Sequence, residues 1–172
     1  MHPRIAELLQ YVDAQTALLH DSYFDVPREH RGMRPSPDRW SPAECVHHVA
    51  IVERRLAQRL AALIEEAKKL PPEDDTSSLF PLAIATRVEV RGQRFRTSEA
   101  AEPRDTDPAR AWEDFMDVRR ELQRVIATGD GARLGAVSAP HPVLGLFTGY
   151  DWIAFAGAHA ARHADQIREM RG

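Results

Sequence analysis

The chain has one cysteine, Cys45, in 172 residues. No intrachain disulfide can form, which excludes the stapled frameworks of small secreted domains and points to a reducing, cytoplasmic setting. Long apolar runs are missing as well. No stretch approaches the roughly 18 residues of a membrane-spanning helix. The first ten residues carry Arg4 and Glu7 where a secretory leader would be apolar. Nor is there an excess of positive charge: 23 lysines and arginines face 26 acids, a formal net charge of -3. That balance gives no general attraction for nucleic acid or for anionic lipid. Arg87, Arg91, Arg94 and Arg96 cluster, but Glu89 and Glu99 flank them. The partner expected is a small-molecule substrate, with no nucleic acid and no membrane; a homodimer through bundle faces is left open. The remaining composition, 43% hydrophobic and 28% charged, is that of a globular chain, and 1–172 is read as one domain with a sizeable core.

Proline is plentiful but uneven. Its twelve copies leave free stretches at 4–26, 43–70, 109–139 and 143–172. Because proline lacks a backbone donor and clashes inside a helix, these stretches are the helix candidates. Ser41-Pro42-Ala43-Glu44 reads as a capping box with proline at the first helical position. Asp107-Pro108 opens a third helix, Thr148 with Asp151 a fourth, and Gly129 closes the third. Apolar seams at helical spacing run Ile5, Leu8, Val12, Leu19, Tyr23; then Cys45, Val49, Val52, Leu56, Leu60, Leu63; then Ala111, Phe115, Val118, Leu122, Val125. The fold predicted is all-α: a four-helix bundle, up-down-down-up or a near variant, with helices near 4–24, 42–69, 108–128 and 149–170. A long irregular crossover, 71–106, joins helices 2 and 3 as a connection or lid. Within it 82–102, with Val88, Val90 and Phe95 around Gly92, reads as a loop or short hairpin. The acidic run Glu73-Asp74-Asp75 lacks the glycine turn and closing glutamate of a calcium loop and reads as solvated.

The fourth helix carries the chemistry. Its seam runs Trp152, Ala156, His159, His163, Gln166, Met170, so two histidines stand one turn apart on a face that otherwise reads as core. A spacing of i, i+4 brings two imidazoles to one point, as chelation of a metal requires. The competing reading is a pair of partly buried histidines bonded to neighbours. A third ligand would come from helix 2, where the seam favours His48 over His47 only weakly. His2, His20, His30 and His141 read as ordinary surface histidines.

Trp40-Ser41-Pro42-Ala43-Glu44-Cys45-Val46-His47-His48-Val49 and His159-Ala160-Ala161-Arg162-His163-Ala164-Asp165-Gln166-Ile167 together resemble the paired motifs of the DinB/YfiT-like superfamily. The resemblance covers nearly the whole chain. It implies a four-helix bundle holding a divalent ion, zinc or nickel, on three histidines, which by position are His48, His159 and His163. It also implies a metal-dependent enzyme, a transferase using a low-molecular-weight thiol as cosubstrate. The alternatives are a metal-dependent hydrolase and a metal-binding protein without turnover.

Three imidazoles leave a metal with open positions. The candidates for roles beside it are Gln166, which would orient a ligand, Glu53 as a base, and Arg162 for an anionic substrate group. Two have plainer readings, Glu53 as a buried salt bridge and Arg162 as an exposed helix arginine. Glu44 reads first as a cap, and Cys45 as a packed thiol.

Overall fold

A computed structural model describes residues 1–89 and 99–170. In chain order its elements are α1 (Pro3–Phe24), α2 (Pro42–Ala67), α3 (Ala83–Glu89), α4 (Ala111–Thr128), β1 (Ser138–His141), β2 (Gly145–Thr148) and α5 (Gly149–Arg168). Four of these helices are long and form the bundle. Reciprocal boxes start α2 and α5. The Ser41 and Thr148 hydroxyls each accept from the N–H three residues on, at 3.2 Å, while the Glu44 and Asp151 carboxylates accept from the caps. The third long helix begins later than Asp107-Pro108 predicts. Those residues form a separate turn, with the Ala109 N–H donating to Asp107 Oδ1 at 2.9 Å, and α4 takes hold at Ala111. Gly129 caps its end as expected.

Contacts at the two ends fix the topology. At one end Arg4 of α1 meets Glu73, just past α2; the His2 N–H meets Asp130, just past α4; and the Tyr150 hydroxyl, in the first turn of α5, donates to Glu73. At the other end the Tyr23 hydroxyl donates to the Pro108 carbonyl, and the Ala43 N–H to that of Arg31. Helices α1 and α5 therefore run one way and α2 and α4 the other, the up-down-down-up order. Among the described residues no helix is long and apolar enough to cross a membrane.

Two elements depart from the expected all-α bundle with an irregular crossover. The crossover contains α3, which packs on α5 through buried Ile84, Ala85 and Val88. Seven residues are too few to show a helical period in sequence. The expected hairpin around Gly92, with Val90 and Phe95, lies outside the described residues, as do Arg91, Arg94 and Arg96. A two-stranded antiparallel sheet stands instead just before α5, pairing Ser138 with Thr148 and His141 with Gly145. Its buried positions, Ala139 and Phe147, face one another across the ladder and pack into the core.

The core divides into two apolar clusters stacked along the bundle. One gathers Ile5, Leu8, Val12, Leu56, Leu60, Leu122 and Ile126; the other Leu19, Tyr23, Val46, Val49, Phe115 and Ile167. Between them, at the same level on α2 and α4, sit two fully buried charges, Glu53 and Arg119. Arg119 Nη2 donates to Glu53 Oε1, Nη1 reaches the Val12 carbonyl of α1 at 3.4 Å, and the guanidinium lies 5.2 Å from the Phe115 ring centre. Burial pushes the Glu53 carboxyl up to about 7 against the opposing pull of Arg119. On the other side of the bundle Gly157 lets α5 approach α1, since a Cβ there would stand 2.5 Å from the Tyr11 ring. Removing one partner of a buried pair strands the other charge, at a cost of about 3–5 kcal/mol. Arg119→Met should therefore lose roughly that much in urea unfolding, and Glu53→Leu with Arg119→Met should recover most of it. Equal losses in the single and double variants would contradict this account.

Candidate metal centre

The capped start of α2 places His48 in its second turn, and α5, running antiparallel beside it, presents His159 and His163 one turn apart. The structure brings these three side chains together across 111 residues of sequence. His159 Nε2 lies 3.3 Å from His48 Nε2 and 3.2 Å from His163 Nε2, and all three rings are buried. Two nitrogens bound to one tetrahedral zinc at about 2.0–2.1 Å would stand about 3.3–3.4 Å apart. The observed spacing fits that value. Among the described residues this is the one group of three histidine, cysteine or carboxylate side chains whose ligand atoms converge in this way.

Proton placement fits a metal as well. His48 Nδ1 stands 2.7 Å from the Ala101 carbonyl. A carbonyl only accepts, so Nδ1 carries the proton and Nε2 turns its lone pair toward the other two rings. Ala101 ends a short 3-10 turn, Glu99–Ala101, that closes the crossover, and Arg55 of α2 holds this turn through the Ala100 carbonyl. Trp40 packs at 4.7 Å from the His48 ring centre and stacks on His163 at 6.3 Å, while Phe155 stacks on His159 at 5.2 Å. Burial lowers the His48 imidazole to about 4. Burial, followed by the nearby His163, His48, Arg162 and His141, sends His159 well below its ordinary value. Among the described residues no carboxylate acts on either ring. Both are neutral at physiological pH, the state in which imidazole binds metal.

The other sequence candidates lie elsewhere or do other things. His47 turns away, 2.7 Å from the Thr106 hydroxyl. Glu53 is held by Arg119 on the α4 side of α2. Burial would raise Glu44, but hydrogen bonds from Arg34 and Ser41 outweigh it and hold its carboxyl low. Gln166 is half-buried three residues beyond His163 and makes no hydrogen bond among the described residues. Arg162 is half-buried rather than exposed, and its Nη1 donates to the Val88 carbonyl at 3.1 Å, tying α5 to α3. Cys45 is buried in the apolar cluster. His2 caps α1, and His20 packs against Phe24 and Trp112. Sequence reasoning missed the Ala101 carbonyl, which no side-chain pattern can reveal. It also placed His141 on the surface, whereas this ring is half-buried against Phe147, Trp152 and Phe155.

The imidazoles set an acid limit on the metal-free protein. An unfolded histidine protonates near 6.5, and His48 in the fold only near 4. The folded state thus resists the proton. The stability it holds above pH 6.5 drains away as pH falls, by about 3 kcal/mol at pH 4 from His48 alone. Thermal melts of chelator-treated protein from pH 8 to pH 4 should show this decline, and His48→Gln should flatten it. An identical slope in the variant would show that the loss arises elsewhere.

Comparison with known proteins bears on the fold and the family. A solved four-helix bundle protein, TT2238, superposes with a TM-score of 0.64 at 17% identity, over 96% of this chain and 98% of that one. At that identity it supports the fold alone. The uncharacterized protein YuaE of Bacillus subtilis (strain 168) is 24% identical over 150 residues, 83% of this chain and 84% of its own length. The DinB superfamily profile matches residues 25–167, a span that includes all three histidines. With most of its length covered by that match, the chain belongs to the DinB superfamily.

Proposed function

We propose that His48, His159 and His163 hold one divalent metal ion, zinc or nickel, and that the protein is a transferase joining a small thiol to a small electrophile. The observation that carries the first half is the convergence of three buried imidazole nitrogens at about the spacing of zinc ligands, with His48 locked in the metal-binding tautomer by Ala101. When bound, the ion supplies a positive centre that makes a coordinated thiol ionise near neutral pH.

The protein's own residues shape what happens around it. The Ala101 carbonyl keeps the His48 proton on the outer nitrogen. Trp40 and Phe155 wall the rings and exclude water from two sides. Arg162 anchors α3 beside them through Val88. Thiol rather than water is supported by the lack, among the described residues, of a carboxylate placed to act as base. Glu53 is engaged by Arg119 and Glu44 by Arg34. Activating water for hydrolysis usually draws on such a base, whereas a metal-bound thiol loses its proton outright. The resemblance to thiol-using relatives points the same way.

Protein purified without a histidine tag should contain about one divalent ion per chain by elemental analysis. His163→Ala should lose it and His47→Ala should keep it; the reverse pattern would assign the wrong neighbour. Metal-loaded protein incubated with bacillithiol, mycothiol or glutathione and monochlorobimane should conjugate at least one thiol faster than the uncatalysed rate, and His48→Ala should abolish the gain. Hydrolysis of an ester or amide panel without thiol conjugation would replace the transferase reading with a hydrolase. Neither activity at full metal occupancy would leave a metal-binding protein without turnover.

A further inference from the structure

Beside the histidine cluster, on the side toward the β1–β2 hairpin, three side chains that carry hydrogen-bond donors lie next to one another. The first is Arg59 of α2. Its guanidinium carbon lies 5.7 Å from the Trp152 ring centre, and among the described residues it has no carboxylate partner and no hydrogen bond. The second is the Trp152 indole N–H on α5. The side chain is 5% exposed, and its Nε1 is buried with no partner among the described residues. A buried donor left unpaired is costly, and native structures keep one for a reason. The third is His141, whose ring centre lies 5.5 Å from that of Trp152. Its Nδ1 accepts the N–H groups of Val143 and Leu144 at 3.2 and 3.1 Å. Nδ1 therefore carries no proton, and Nε2 carries it as a donor. Burial, and then the nearby Arg59, disfavour a second proton on this ring.

This trio adjoins the metal centre directly. His141 packs on Phe155 at 4.9 Å, and Phe155 stacks on His159 at 5.2 Å. Trp152 and His159 are seven residues apart on one helix, a rise of roughly 10 Å. An exposed guanidinium over the Trp152 ring, with the neutral indole and His141 N–H groups nearby, suits a carboxylate, which accepts at two oxygens and balances the charge.

We propose that Arg59, Trp152 and His141 form a subsite for the carboxylate of a small substrate or cosubstrate whose other end reaches the three histidines. This rests on the metal-dependent reading above for the identity of the far end, but not for the subsite itself. The ligand class is thus a flexible acid with its reactive group roughly 10 Å from its carboxylate.

Hexanoate and hexanol titrated separately into metal-free protein provide the test, read by the indole N–H resonance of Trp152, which Trp152→Phe identifies. Hexanoate should shift that resonance and hexanol should not. Arg59→Gln should weaken hexanoate about tenfold, the loss of one charge-assisted bond, and His141→Phe should weaken it further. A Trp152 resonance unmoved by hexanoate, or a shift that Arg59→Gln leaves intact, would overturn the subsite. Cobalt-loaded protein with 6-mercaptohexanoate and 6-mercaptohexanol then separates the two readings. The acid should bind more tightly than the alcohol, with both giving a thiolate-to-cobalt band. If neither thiol gives that band, the metal reading fails, and the hexanoate result still decides the subsite.

Discussion

Helices α2 and α4 run the same way side by side, so no tight turn can join them and the chain between must travel back along the bundle. Much of the site follows from that constraint. The returning chain lays α3 on α5, where Arg162 grips it, and then delivers the Glu99–Ala101 turn to α2, where His48 uses its carbonyl. An all-antiparallel bundle with short loops would bring the same histidines together and leave them uncovered. Here the connection supplies both a wall and the proton acceptor that sets the tautomer of His48.

The interior handles its polar groups in two ways. At the boundary of the two apolar clusters a charge is matched by a charge, Glu53 by Arg119, which links α1, α2 and α4 at one level. At the histidine cluster the three imidazoles lie against each other and against aromatic rings, and His48 also meets a backbone carbonyl. Burial keeps His48 and His159 neutral, and the Ala101 carbonyl leaves the inward nitrogen of His48 without a hydrogen. Such a cluster could hold a cation. The Glu53–Arg119 pair bears on this too, because it occupies the inner carboxylate of α2 that would otherwise be the nearest candidate for a base.

The helices were legible because proline and capping residues mark their ends: Ser41 with Glu44, and Thr148 with Asp151, start α2 and α5 where the pattern says. The histidine cluster was legible as well. His159 and His163 share a face by spacing, and the motif resemblance selected His48 over His47, which the structure turns toward Thr106. What the pattern missed has physical causes. Ile84, Ala85 and Val88 form too short a stripe to show a period. The strands around Phe147 are four residues each, too short to show an alternation, and lie between the third and fourth predicted helices. Arg119 stands beside Val118 off the apolar seam, and nothing local reveals that its partner is 66 residues away. Helix α5 is buried on nearly every side, so a single seam described only part of what it touches.

The bond from His48 to residue 101 uses a main-chain oxygen, and every amino acid carries one. Replacing Ala101 with another small residue leaves that oxygen in place, so a scan of single substitutions would pass over the position without registering its role. Reach is what matters. Losing the hold of Arg55 on the Ala100 carbonyl would let the Glu99–Ala101 turn shift, draw the neighbouring carbonyl off the ring, and free the imidazole to change tautomer. The sensitivity of this cluster to where the turn sits, rather than to which side chains it carries, comes from the use of a main-chain oxygen.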